Sequence, residues 1–379
     1  MKNNYLIFLL LLTLFSVSSC IQDEAPNAEC DIVSVDAAWL EENKDIIIGN
    51  PVIDNNYVKF YVLDDNDIKL EDLKKLEPKF NLTVGARIEK IGEPTANGEN
   101  GIMMQYRTFS EDGKWWKNYD ISFVKQVVIP IGHVFSFEEY TLNKVYCNKW
   151  NETINNTNFD WWTSGNGGFV MTGQGKKPED FPTSSYEDGF KGKCIKLKTC
   201  DTGAYGKKMG MPIAAGNIFM GEFKLNNPKE ALKATKMGLQ IVPTKPASLT
   251  GYYKYTPGEV FTDAEKNEVP ARRDECAIYA VLYEANPENF VALDGSNITS
   301  SDRIVLIAEL QNPGEPAEWT EFNIPFEPRN GKKFDYNKLA NNEYAITVVA
   351  SSSKDGAFFE GAVGSTLFVD EIKIEWENK

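Results

Sequence analysis

The chain has 379 residues, 42% of them apolar, enough for two or three domains with a sizeable core and too apolar for disorder throughout. Its formal charge of -15, from 55 acidic against 40 basic residues, argues against nucleic acid or an anionic membrane surface as partner, since both demand a basic face. A neutral or cationic partner fits that balance better.

The chain opens "MKNNYLIFLLLLTLFSVSSC": one lysine, an apolar run from Leu6 to Val17, then two small residues before Cys20. That pattern reads as a secretory signal over residues 1–19, too short and wrongly flanked for a spanning helix. Its ending resembles a bacterial lipobox, which implies an acylated Cys20 and a lipid anchor in the membrane rather than a span. The acidic stretch "IQDEAPNAE" that follows resembles the signals that send some lipoproteins to the outer surface. The expectation is an outer-membrane lipoprotein at the cell surface, with 20–30 as its tether.

Residues 31–132 hold short alternating runs such as "YVKFYVL", "FNLTVGARIEKI", "IMMQYRTFS" and "WWKNYDISFVKQVVI", bounded by turn residues. Roughly seven short strands in about 100 residues predict an Ig-like or fibronectin-like sandwich. The Asp-Gly of "RTFSEDGKWWKNYDISF" predicts a hairpin, and "KLEDLKKLEP" is the one helical candidate. From 133 to 379 strand-like segments continue, among them "KCIKLKTC", "GNIFMGEF", "TGYYKYT", "CAIYAVLYEA", "DRIVLIAELQ", "YAITVVASSS" and "STLFVDEIKIEWE". Helix-period runs of twelve or more are missing. A larger antiparallel jelly-roll sandwich is expected there, so the whole is predicted all-β.

Cys30, Cys147, Cys194, Cys200 and Cys276 remain after Cys20; an odd count implies no complete disulfide framework. Cys194 and Cys200, on one extended segment, stand roughly 20 Å apart and cannot bond to each other.

Few catalytic chemistries survive. The single histidine, His133, sits at the apparent hinge, which excludes multi-histidine zinc sites and leaves a Ser-His-Asp arrangement only if His133 is its base. The serines of "SSSKDG", 351–356, read as a strand end entering a loop. There is no GxGxxG after a strand, no P-loop and no CxxC, and no cofactor is expected beyond a structural calcium that "LDDNDIKLED" is too poor a loop to establish. Glycosidic cleavage needs two carboxylates about 5–9.5 Å apart. Asp160, Asp201, Glu222, Glu275 and Glu360 stand near strands, with Asp201 and Glu360 the weak catalytic candidates among 55 acidic residues.

Aromatics give the better signal, and they pair: Trp115-Trp116, Trp161-Trp162, Tyr252-Tyr253. In a strand, neighbours point to opposite faces, so one member of each pair is expected in the core and the other outward, where a flat ring can carry a sugar. In "NFDWWTSGNGGF" alternation assigns Trp161 to the core beside Phe159, and Trp162 to the outside beside Asp160. The expected ligand contacts are Trp162 or Trp161, Tyr252 or Tyr253 and Tyr205, with Asp160, Asp201 and Lys354 as hydroxyl partners. Tyr205 enters because "CDTGAYGKKMG" reads as a Gly-flanked loop after a strand.

The segments "GFKGKCIKLKTCDTGAYGKKMGMPIAAGNIFMGEF", "LTGYYKYTPGEVFTD", "CAIYAVLYEANPENFVALDGSNI" and "SSSKDGAFFEGAVGSTLFVDEIKI" resemble, in this order, the putative carbohydrate metabolism domain of glycan-utilisation lipoproteins from gut anaerobes. The resemblance runs from about Phe135 to Trp376, and a looser one upstream is to the Ig-like domain that often precedes it. It implies a jelly-roll similar to carbohydrate-binding modules, an oligo- or polysaccharide ligand and partner glycan-utilisation proteins; it supplies no catalytic residues. The leading expectation is non-catalytic glycan binding, with a glycoside hydrolase or lyase and a structural or adhesive surface protein as the rivals.

Overall fold

The computed structural model describes residues 26–377 except 45, 64–67, 98–100, 127, 146, 155–156 and 288. Cys20 and the apolar leader lie outside the described residues, as do four positions of "LDDNDIKLED". The chain divides into two compact units, one taking the chain up to residue 43 with 52–59 and 73–123, the other 44–51, 60–72 and everything from 124 on.

The N-terminal strands form a five-stranded sheet in the order Ile47–Ile53, Tyr57–Leu63, Trp116–Gln126, Gly101–Phe109, Arg87–Ala96, and a separate pair, Ile32–Val35 with Phe80–Leu82. The Asp-Gly hairpin is present between Gly101–Phe109 and Trp116–Gln126. Ser110 N–H donates to the Trp115 carbonyl at 2.9 Å, and Gly113 takes the left-handed φ of 69° that the turn demands. The helical candidate shrinks to one turn, Leu70–Leu73.

From residue 134 on, two antiparallel sheets build the sandwich. The first runs Trp162–Thr163, Asn217–Phe223, Tyr344–Ser351, Ala277–Glu284, Ile304–Glu309, Glu327–Pro328. The second runs Thr183–Tyr186, Cys194–Lys198, Thr366–Trp376, Pro246–Thr256, Thr320–Pro325, with Val134–Phe135 also pairing Thr366–Trp376. The core lies between them: Ile218, Ile278, Val348 and Ala350 from the first sheet meet Leu197, Leu249, Tyr255, Leu367 and Val369 from the second.

The two sheets differ on their outer faces. In the first, the alternate residues Phe219, Val281, Tyr283 and Val349 are buried a second time, beneath Leu293 and Ile298. That is why "YAITVVA" is an unbroken apolar run, as strands covered on both sides require. Thr366–Trp376 instead alternates buried with partly exposed residues along most of its length, as a strand with one open face does. This open face would ordinarily carry polar side chains, yet several of its side chains are aromatic.

Trp161 and Trp162 are both in the core, at 6% and 1% exposure. Trp162 packs edge-on against Phe135 and Phe137, each with ring centroids 5.1 Å away, and its Nε1–H donates to the buried Glu152 at 2.9 Å. The expectation that Trp162 looks outward is corrected: Asp160 and Trp161 belong to no strand, so alternation does not carry through the pair. Trp115, in the hairpin turn, and Trp116 are both exposed, for the same reason. Only Tyr252-Tyr253 lies within a long strand, and there alternation holds: Tyr253 is buried, donating from its hydroxyl to the Pro313 carbonyl at 2.5 Å, and Tyr252 faces out.

Candidate functional site

The open face of the second sheet carries a contiguous aromatic strip. Tyr186 tilts against Phe368 with centroids 4.8 Å apart, and the Lys254 ammonium sits over both Phe368, at 5.3 Å, and Trp319, at 4.6 Å. Trp319 meets Phe190 edge-on, and Phe190 lies flat on Tyr252, 3.6 Å between centroids with 8° between planes. Phe190 remains 45% exposed. These rings come from three strands and two loops that share one face by register: Lys254 pairs Phe368, Lys196 pairs Phe368, and Tyr252 pairs both Asp370 and Glu321. The strip therefore alternates flat apolar faces with ammonium and carboxylate groups, the combination that takes pyranose CH faces and hydroxyls together.

The loop that places Phe190 is pinned by Asp370. This fully buried carboxylate accepts the N–H of Lys191 at 3.0 Å and of Glu371 at 2.8 Å. Burial pushes its pKa up from 3.8 to about 6, opposed by those same N–H groups. A carboxyl whose folded pKa is raised binds its proton more readily in the native state, so its contribution to stability is full below pH about 4 and is lost as pH rises through about 6. We expect the stability difference between the wild type and Asp370→Asn to fall across that window, read from urea midpoints at pH 4, 5, 6 and 7; a constant difference refutes the assignment. The same loop gives Lys193 to a polar hollow of roughly 490 Å³ lined also by Glu138, Glu139, Tyr140, Asn151 and Asn158.

A second concavity, an apolar cavity of roughly 220 Å³, lies on the outer face of the first sheet. Its floor is Phe219, Tyr279 and Val349, and Tyr205, at 45% exposure, and Lys354 stand at its edge. Its threonine and serine hydroxyls are spent on backbone: Thr172 donates to the Phe169 carbonyl at 2.7 Å, Thr202 to that of Met211 at 2.5 Å, Thr235 to that of Leu232 at 3.1 Å and Ser351 to that of Ser353 at 2.9 Å. It offers little to a sugar.

The loop bordering this cavity, 352–365, is clamped from inside. Asp274, 3% exposed, accepts the Ser353 and Ser365 hydroxyls at 2.6 Å each and the Ala362 N–H at 2.8 Å, while Thr199 Oγ1 lies 2.6 Å from Ser353 Oγ. Burial raises the Asp274 pKa, offset by those bonds. The clamp holds Phe359, a lining residue, at a left-handed φ of 62°, a conformation costing an aromatic residue about 1 kcal/mol or more. The "SSS" run is thus structural: Ser351 ends a strand, and Ser352 and Ser353 are buried in the network.

The other sequence candidates scatter. Asp201 accepts the Gly203 N–H at 2.7 Å and pairs with Lys266 at 2.9 Å and Lys207 at 3.1 Å. Burial opposes them, yet these partners hold its carboxyl below the usual carboxylate range, the wrong direction for a general acid. Glu360 pairs with Arg272 at 3.0 Å, and Arg272 also binds Asp355. Asp160 is an exposed partner of Lys149. His133 Nε2 lies 3.0 Å from Glu152, the same carboxylate that takes Trp162, so it is engaged in a structural pair. Among the described residues no three His, Cys, Asp or Glu side chains are grouped to hold a metal, and the five described cysteines are free thiols. Sequence reasoning missed Tyr186, Phe190, Trp319 and Phe368; a ring at an outward register position of an alternating strand is the signal that finds Phe368.

Fold and site together define an all-β sandwich with one roofed sheet and one open sheet bearing an aromatic strip. The family model described as "Putative carbohydrate metabolism domain" matches residues 136–375, and the chain belongs to that family. A crystal structure described as that of a "putative glycoside hydrolase" from Bacteroides thetaiotaomicron VPI-5482 is similar at 36% identity with a TM-score of 0.65, over 94% of this chain and 100% of its own. Another, described in the same words, from Bacteroides vulgatus ATCC 8482, is similar at 37% identity and a TM-score of 0.60, over 66% of this chain and 100% of its own. No curated protein matches the chain in sequence.

Proposed function

We propose that this protein binds a glycan non-catalytically on the open face of its second sheet, as a lipid-anchored cell-surface component of carbohydrate uptake or metabolism. A glycan-related role is supported by the family and by the two similar structures. The observation that carries the binding surface is the exposed Phe190 ring, held flat on Tyr252 and continued by Trp319, Lys254 and Phe368. The anchored location rests on the "SVSSC" ending of the leader, and the region before residue 133 serves as spacer in this reading.

The hydrolase alternative is weakened by its own best residues, since Asp201 and Glu360 are both tied to cations. Asp370 has the raised pKa of an acid but is fully buried, and its carboxylate is taken up in holding the Lys191 and Glu371 N–H groups.

A glycan array followed by a reducing-sugar assay on the hits separates the readings: binding without product supports the proposal, turnover replaces it with an enzyme, and no hit on any glycan favours a structural surface protein. On a hit, Phe190→Ala and Trp319→Ala are each expected to weaken affinity about tenfold, given that an aromatic contact is worth about 0.5–1.5 kcal/mol beyond its buried area. Unchanged affinity in both variants removes the strip from the proposal.

A further inference from the structure

The apolar cavity on the first sheet is left over by this reading, and its chemistry differs from that of the strip. We propose that it is a binding site for a medium-chain carboxylate, the chain lying in the cavity and the head group on Lys354.

Three observations converge. The lining is dominated by apolar side chains, with four methionines, Met171, Met209, Met211 and Met237, whose flexible thioethers adapt to an aliphatic chain. The Thr172, Thr202, Thr235, Ser351 and Asn217 side chains on its wall already bond protein backbone, Thr202 to the Met211 carbonyl and Asn217 to that of Ala215, so a polyhydroxy ligand finds few partners there. Lys354 is the one charged residue of the lining, it is exposed, and among the described residues it makes no ion pair, in a chain whose formal charge is -15. Three cations near this face are taken, Lys207 and Lys266 by Asp201 and Arg272 by Asp355 and Glu360, and Lys208 is not among the residues that line the cavity. An unpaired ammonium beside an apolar cavity selects a ligand that is apolar at one end and anionic at the other.

Size narrows the class. A dry cavity of about 150 Å³ holds benzene, so one of roughly 220 Å³ has room for about eight to ten carbons. The clamp at Asp274 keeps Lys354, Gly356 and Phe359 on one tethered loop, which fixes the position of the head-group contact relative to the chain site.

The test is calorimetric titration of the full chain with octanoate and with 1-octanol, both below micelle-forming concentration, on wild type, Lys354→Met and Ala357→Trp. Both substituted positions are exposed, so neither variant disturbs the core. The proposal expects wild type to bind both ligands, Lys354→Met to lose at least tenfold for octanoate with octanol unchanged, and Ala357→Trp, which fills the mouth, to lose both. Absence of octanoate binding by wild type overturns it; so does equal octanoate affinity in Lys354→Met, or undiminished binding in Ala357→Trp. Glycan binding at the strip is read in the same variants and is expected to be unchanged, so failure of one site is distinguishable from failure of the other.

Discussion

Trp162→Ala unfolds at a markedly lower urea concentration than the wild type, with a loss of about 3–5 kcal/mol for emptying a fully buried indole site. The loss is large because three things go together: the ring's edge contacts to Phe135 and Phe137, its share of the core, and the donor that it gives Glu152 beside His133. Trp162→Phe separates these. It keeps one ring and removes the donor with part of the indole's volume, so its cost is expected to be smaller, at about 1–3 kcal/mol. If Trp162→Ala instead stays within about 1 kcal/mol of wild type and loses glycan affinity, the indole is a ligand platform after all and the core assignment fails.

The second large effect is at Asp274. Replacing it by Ala removes the buried acceptor of the Ser353 and Ser365 hydroxyls and of the Ala362 N–H, each costing about 1–3 kcal/mol where no other partner takes over, so a total of about 3–5 kcal/mol is expected from urea unfolding, tempered by the Thr199 hydroxyl beside Ser353 and by relaxation of the loop. Asp274→Asn retains one acceptor oxygen and falls between the two. Because Phe359 keeps its left-handed backbone only while the loop is clamped, Asp274→Ala is also expected to raise protease cleavage within 352–365. Normal stability together with an intact loop contradicts the clamp.

How much of this was readable from residues alone depends on the length of the element concerned. Long strands announced themselves: "TGYYKYT" alternates, and Tyr252 and Tyr253 fall on opposite faces accordingly. The unbroken "YAITVVA" also announced a strand, but its apolar continuity, the mark of burial on both faces, was legible only as strand and not as a roofed sheet. Trp161-Trp162 went wrong because the rule of alternation was applied to a stretch whose strand has two residues. The strip was harder still. Phe190 sits in a Gly-flanked loop and Trp319 after a proline-rich turn, and only the register of four strands brings them to Tyr252; no spacing within the sequence encodes that meeting. Tyr205 and Lys354 do come together, around the same cavity, although that cavity suits a different ligand from the one that suggested them.

The strand Thr366–Trp376 lies in the middle of the second sheet, between Cys194–Lys198 and Pro246–Thr256, and also holds Val134–Phe135. It is the last strand of that sheet to be synthesised. No nascent intermediate can therefore close the sheet or assemble the strip, since Phe368 and the Asp370 pin arrive only with this segment. Folding of the domain is governed by contacts of very high sequence separation, which makes it slow and leaves the earlier strands with unpaired edges in the interval. The sheet, and the aromatic strip with it, is thus complete only once this strand has been made.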